Sequence, residues 1–103
     1  MFLFTSDFEG MPNVLLEAIA TGTPVVTTDY SPGGADDLVK DNCCGYVAKR
    51  GDAKSVADCV CSLLKNEDSL KVCSDNAIIA STKYSPKMIS EEWCSYLLEV
   101  VKR

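Results

Sequence analysis

Two acidic side chains frame the segment Glu9-Gly10-Met11-Pro12-Asn13-Val14-Leu15-Leu16-Glu17, with seven residues between them. Between the two lie a glycine, a proline and then an apolar run, the pattern of a helix that begins inside the segment. A helix start exposes backbone N–H groups that have no partner within the helix, and it carries the positive end of the peptide dipoles. This stretch therefore offers a site for an anionic ligand. The chain contains no histidine, so the commonest general base and metal ligand is absent.

The flanking residues say which elements hold this segment in place. Met1-Phe2-Leu3-Phe4-Thr5 is a continuous apolar run, as expected of a strand covered on both faces. Pro12 suits the first helical position, where its missing N–H costs nothing. The helix continues through Ala20 and should stop at Gly22 in the left-handed conformation. Val25–Thr28, β-branched throughout, reads as the second strand. The polar loop and helix mouth would then lie at the carboxyl end of a parallel strand, where open α/β sheets bind ligands.

Asp29–Gly34 is turn-rich, and Gly33-Gly34 reads as turn chemistry. A short helix over Ala35–Lys40 and a third strand, Gly45–Ala48, follow, and Lys49-Arg50 reads as a solvated turn. The remainder is helical. Asp52 can cap a helix with Val56, Cys59, Val60, Leu63 and Leu64 inward. Asn66 opens another with Leu70, Cys73, Ala77 and Ile78 inward, and its acidic first turn suits the dipole. Ser85-Pro86 opens a last helix with Ile89, Trp93, Tyr96, Leu97, Val100 and Val101 on one face, Trp93 and Tyr96 being expected in the core.

Strand, helix, strand, helix, strand is an α/β unit, here a partial doubly wound, Rossmann-like domain of three parallel strands with a helical C-terminal segment. With 103 residues, 47% apolar and 24% charged, the chain is one soluble domain at most. Three parallel strands make a thin sheet, and the sequence begins inside a strand whose bare edge invites pairing. The expectation is the second half of a doubly wound domain whose first half is absent. A net charge of -5 disfavours nucleic acid or an anionic membrane as a direct partner. No run is long and apolar enough to span a bilayer or to form the core of a signal peptide. The six cysteines lack Cys-x-x-Cys spacing, which argues against zinc and against a disulfide scaffold. They read as reduced, mostly buried thiols of a cytosolic protein.

Several of these phrases together resemble a known family. Phe2–Ser6, Glu9–Ala20, Gly22–Val26, Gly33-Gly34, Asn42–Val47, Gly51-Asp52, Leu63-Leu64 and Tyr84-Ser85 are similar, in that order, to retaining glycosyltransferases of family 4, the group 1 transferases of GT-B fold. The resemblance covers residues 1–103 as the C-terminal part of the donor-binding domain. It implies transfer of a sugar from a nucleotide-sugar donor to an acceptor hydroxyl with retention, in polysaccharide or glycoconjugate synthesis. It implies no cofactor and no bound metal. Glu9 would sit beside the transferred sugar as the catalytic carboxylate, and Glu17 would accept from the ribose hydroxyls. Gly10 and the backbone N–H groups of Met11, Asn13 and Val14 would face sugar and diphosphate. The family's upstream Arg and Lys lie outside the chain, as does the acceptor-binding N-terminal domain, so the chain alone is expected to be inactive. The partners implied are the donor and that missing domain or another subunit, with a cytoplasmic location that reaches the membrane only through the missing domain. Where the family commonly has Glu after the glycine pair, this chain has Asp36-Asp37.

Two other readings stay open at this stage. The chain could be a non-catalytic module that binds a nucleotide or docks on another subunit through its open sheet edge. It could also be a GT-B relative of different chemistry, such as a sugar-nucleotide epimerase. Glu17 by itself would suit a solvated helix surface, and Glu9 a loop.

Overall fold

The computed structural model describes residues 1–103. Three parallel strands form one sheet in the order β1 (Phe2–Phe4), β2 (Val25–Thr28), β3 (Gly45–Ala48). Phe2 is opposite Val25, and Val25 is opposite Gly45. Helix α1 (Asn13–Ala20) joins β1 to β2, and a single π-helical turn (Asp36–Lys40) joins β2 to β3. Helices α2 (Ala53–Leu64) and α3 (Glu67–Ser81), a 3₁₀ turn (Thr82–Tyr84) and α4 (Pro86–Lys102) complete the chain. The partial doubly wound architecture expected from the sequence is present, and no helix is long and apolar enough to cross a membrane.

The twofold period of a strand sorts β2 between two cores. Val25 packs with Leu15 and Ile19 of α1, Leu38 and Val39 of the π turn, and Ala77 and Ala80 of α3. Val26 packs on the other face with Leu63 of α2 and Cys73 of α3. All four β2 residues are buried, which is why the β-branched run carries no polar alternation. Strand β1 differs from expectation. Phe2 and Phe4 pack against the α1-side core, but Leu3 on the other face is 46% exposed, so β1 is an edge strand covered on one face only.

Helix α1 begins one residue later than expected. Pro12 has a helix-compatible φ of -73° but an extended ψ of 109°, so it caps the helix instead of entering it. Its carbonyl accepts from the N–H groups of Leu15 and Leu16. The exit is as expected. Gly22 has φ +71°, its N–H reaches Ile19 O, and Thr23 N–H reaches Ala18 O, the paired bonds of a Schellman stop.

Asp52 and Asn66 cap α2 and α3 through Ser55 N–H and through Asp68 and Ser69 N–H, and Ser85 caps α4 through Met88 N–H. Four inward assignments are corrected. Leu64 ends α2 one position past buried Leu63, and the 100° step turns it to solvent. Ile78 stands next to buried Ala77 and is half exposed, lying over Gly22. Trp93 and Tyr96 are not core. No residue of α4 is buried, and the two rings pack edge to face on each other at 6.1 Å, Trp93 being 60% exposed. The helical period of α4 is real, but this chain supplies no surface for its apolar face.

The cysteines are also less buried than expected. Cys44 and Cys73 are buried and Cys59 is half-buried, whereas Cys43, Cys61 and Cys94 are exposed. Burial pushes the Cys44 thiol up to about 11. An unfolded thiol ionises from about 9, so folding free energy from this group is present below that pH and is lost as pH rises through about 11. A thiol alkylating reagent at pH 8 is expected to label Cys43, Cys61 and Cys94 quickly, and Cys44 only after unfolding, as read by peptide mass spectrometry. Labelling of Cys44 at the rate of Cys94 would contradict the buried placement.

Candidate functional site

The carboxyl ends of the three strands are laced together by polar groups. Thr28 is buried, and its hydroxyl donates to Ser6 O just past β1. Ser31 N–H donates to Asp7 O at 2.8 Å, and Ser31 O accepts from Glu9 N–H at 2.9 Å. The loop that bears Glu9 is thereby fixed to the segment after β2. Arg50 N–H, just past β3, donates to the Asp29 carboxylate, which ties the third strand end to the second.

The Glu9 side chain is half-buried, and Ser6 Oγ lies 3.1 Å from both its Oε1 and Phe8 O, so that one hydroxyl proton is shared between the two acceptors. Beyond it the chain turns into α1 with no side-chain cap. The N–H groups of Gly10, Met11, Asn13 and Val14 find no acceptor within the chain, and all four residues are exposed. Pro12 between them has no N–H to offer. Most helix starts satisfy such donors by a side chain or by water. Here Pro12, whose side chain cannot accept, holds the cap position, so the donors remain open to a ligand.

Glu17 stands one turn into α1 and is exposed. Asn13 and Glu17, one turn apart, line a cleft of about 440 Å³ whose far wall is Ser81, Tyr84, Ser85 and Pro86. Glu9, Gly10, Met11 and Val14 do not line that cleft. Along the chain the donors of the helix mouth thus lie between Glu9, in the loop, and Glu17, in the cleft. A larger concavity of about 580 Å³ lies beside Leu3, Val56 and Val60 on the uncovered face of β1. Its walls are mainly apolar, and one of its two carboxylates, Asp52, is committed to capping α2.

Three residues at this end of the sheet make contacts that the sequence reading assigned to none of them. Ser6 orients Glu9, and its position three residues earlier in the same loop was the available signal. Arg50, read from sequence as a solvated turn, is exposed but anchored. Its guanidinium donates to Asp7 O at 3.2 Å and lies 5.8 Å from the centre of the Phe8 ring, a cation–π contact that brings positive charge to the Glu9 loop. Tyr30 is 1% exposed and packs edge to face on Phe4. Its phenol is pushed up from the usual range by burial and then by the charges of Glu9 and Asp37. Ser6, Tyr30 and Arg50 follow the ends of three different strands, so only the fold brings them together.

Residues 1–79 match the family described as glycosyl transferases group 1. The chain is 35% identical over 98 residues, 95% of its length, to poly(glycerol-phosphate) alpha-glucosyltransferase of Bacillus subtilis (strain 168), of which those residues are 14%. It is 30% identical over 99 residues, 96% of its length, to the exopolysaccharide phosphotransferase SCO2592 of Streptomyces coelicolor, covering 10% of that protein. It is 32% identical over 93 residues, 89% of its length, to the capsular polysaccharide biosynthesis glycosyltransferase CapM of Staphylococcus aureus, covering 24%. The chain therefore spans a quarter or less of each of these relatives. The family match runs from β1 to Ala77–Ile79 of α3 and takes in the Glu9 loop, the uncapped mouth of α1 and the Glu17 cleft, so the chain belongs to the group 1 glycosyl transferases.

Proposed function

We propose that this chain is the C-terminal part of the donor-binding domain of a retaining, GT-B-type glycosyltransferase of family 4. In that reading it holds a nucleotide sugar while the sugar passes to an acceptor hydroxyl during polysaccharide or glycoconjugate synthesis. The observation that carries the reading is the open helix mouth, where the N–H groups of Gly10, Met11, Asn13 and Val14 stand unpaired between Glu9 and Glu17. Unpaired amides at a helix start favour a diphosphate and stabilise the negative charge that grows on it as the glycosidic bond breaks. Glu9, held by Ser6, would face the transferred sugar and steady charge near the reacting carbon. Glu17, in the cleft beside Asn13, would accept from the ribose diol. Cations from the rest of a longer enzyme, and its acceptor domain, would complete the site. The relatives named above for glucosyl transfer and capsule synthesis support a sugar as the group moved.

Docking onto another domain or subunit is a second role that one observation favours, the uncovered apolar face of α4. The two roles are compatible in a single enzyme.

Amide-shift titration with nucleotide sugars tests the reading. The chain should bind in the millimolar range or weaker, because its net charge of -5 opposes a diphosphate. Shifts should centre on Gly10, Met11, Asn13 and Val14. Glu17→Ala should weaken binding about 10- to 100-fold, as for a truncated charged hydrogen bond. Shifts confined to other residues, or micromolar binding with sugar transfer by this chain alone, would contradict it.

A further inference from the structure

The cleft beside Glu17 runs on past that carboxylate, away from the mouth of α1. Asn13, Leu16, Glu17 and Ala20 fall on one face of the helix and form one wall. At about 1.5 Å of rise per residue, Glu17 lies about 6 Å beyond Asn13 and Ala20 about 10 Å beyond it. The opposite wall is Tyr84, flanked by Ser85 and Pro86. Tyr84 is half-buried and packs against the core that holds Leu15 and Ile19. Its hydroxyl accepts from Asn42 Nδ2 at 3.1 Å, and Asn42 does not line the cleft. Asn42 is fixed in turn, donating to Leu38 O at 2.8 Å and accepting from Lys83 Nζ at 2.7 Å. The tip of the tyrosine is thus anchored outside the cleft, which leaves the ring as its contribution to the wall.

The polar groups of the cleft are unequally engaged. Ser81 Oγ donates to Ile78 O and Ser85 Oγ caps α4, whereas the side chains of Asn13 and Glu17 have no partner within the chain. A ligand with its anionic group at the mouth therefore meets a free carboxylate one turn in, and an aromatic and aliphatic surface beyond it. Phosphate, ribose and base follow one another in that order in a nucleotide. The cleft of about 440 Å³ is also of the size that takes a small organic molecule.

We propose that Tyr84 is the base-binding residue of this chain. Its ring stacks on the nucleobase, across from Leu16 and Ala20, while Glu17 holds the ribose. Every nucleobase has a π face, and stacking on that face does not read the base edge. No unengaged polar side chain lines the cleft beyond Glu17, so uracil and guanine are held alike. The assignment rests on the nucleotide-sugar reading above, in which Glu17 accepts from the ribose.

The test titrates wild type, Tyr84→Leu and Tyr84→Phe with UDP, GDP and inorganic pyrophosphate, followed by amide shifts. Tyr84→Leu should weaken UDP and GDP about tenfold each and leave pyrophosphate unchanged. Tyr84→Phe keeps the ring and should bind all three as wild type does. In wild type, nuclear Overhauser contacts should join the Tyr84 ring protons to those of uracil and guanine, a reading that needs no variant to fold. UDP and GDP should differ in affinity by less than about tenfold, and a larger preference would overturn recognition by the ring face. Base contacts to other residues only, equal losses of UDP and pyrophosphate in Tyr84→Leu, or no loss of UDP there would overturn the role of Tyr84. Shifts at Gly10, Met11, Asn13 and Val14 would in each case leave the donor reading standing. Wild type in which neither UDP nor GDP shifts those four amides would overturn both.

Discussion

Replacing Gly45 by alanine is expected to abolish cooperative folding of this chain at 25 °C. A Cβ built on Gly45 would lie 1.7 Å from Val25 O, 2.6 Å from its carbonyl carbon and 2.9 Å from its nitrogen. These are backbone atoms, so no rotamer change relieves the overlap. Gly45 pairs with Val25 in the β2–β3 register, and Val25 N–H donates to Cys44 O at 3.0 Å beside it. Moving either strand to make room would break that ladder and would shift Val25 and Val26, each fully buried in a different core. A domain of this size has about 5–15 kcal/mol of stability in total. A backbone overlap at the central strand pair belongs with substitutions that cost more than about 4 kcal/mol. Gly51→Ala is the matched control. Its φ of +76° strains an alanine, but nothing lies within 4 Å of the added atom. That change should cost about 1 kcal/mol. A thermal melt followed by circular dichroism separates the cases, and a Gly45→Ala melting temperature within a few degrees of wild type would contradict the close approach.

Local chemistry determined what could be read from sequence. Val25–Thr28 was legible because a wholly buried strand needs no polar alternation, and Asp52, Asn66 and Ser85 because each carries the capping oxygen on the residue itself. Gly22 was legible because a left-handed helix stop has few occupants. The errors at β1 and α4 share one cause. The apolar stripes of β1 and α4 signal a face that wants burial, and periodicity does not say whether this chain supplies the partner. Leu3, Trp93 and Tyr96 accordingly sit exposed. The candidate residues Glu9, Gly10, Met11, Asn13, Val14 and Glu17 share one phrase of sequence, the first three in the loop and the last three on α1. Ser6, Tyr30 and Arg50 belong to three strand ends whose meeting depends on parallel pairing, and no local pattern encodes that pairing. The cap position of Pro12 turned on a single dihedral, its ψ of 109°, and that small difference keeps the mouth of α1 without a capping side chain.

That open mouth gives the sharpest functional prediction. Asn13→Pro should leave the fold intact and cut nucleotide-sugar affinity by about 1.5–3 kcal/mol, the range for a hydrogen bond to a charged group. Asn13 is the first residue of α1, where proline is favoured because the N–H it removes has no helical partner. Pro12 already holds the extended ψ that a following proline requires. The substitution therefore deletes one amide donor at little structural cost, and its melting temperature should match wild type or exceed it. It also deletes the Asn13 side chain, which lines the cleft with Glu17, so Asn13→Ala is the necessary companion. The difference between the two variants isolates the amide. If the N–H groups of the helix mouth grip a diphosphate, Asn13→Pro should bind at least about fivefold more weakly than Asn13→Ala, and UDP should lose as much as UDP-glucose. Equal affinities for the two variants would mean that the amide faces solvent in the complex. The anionic group would then have to be held elsewhere, with Arg50 as the nearest cation anchored to the Glu9 loop.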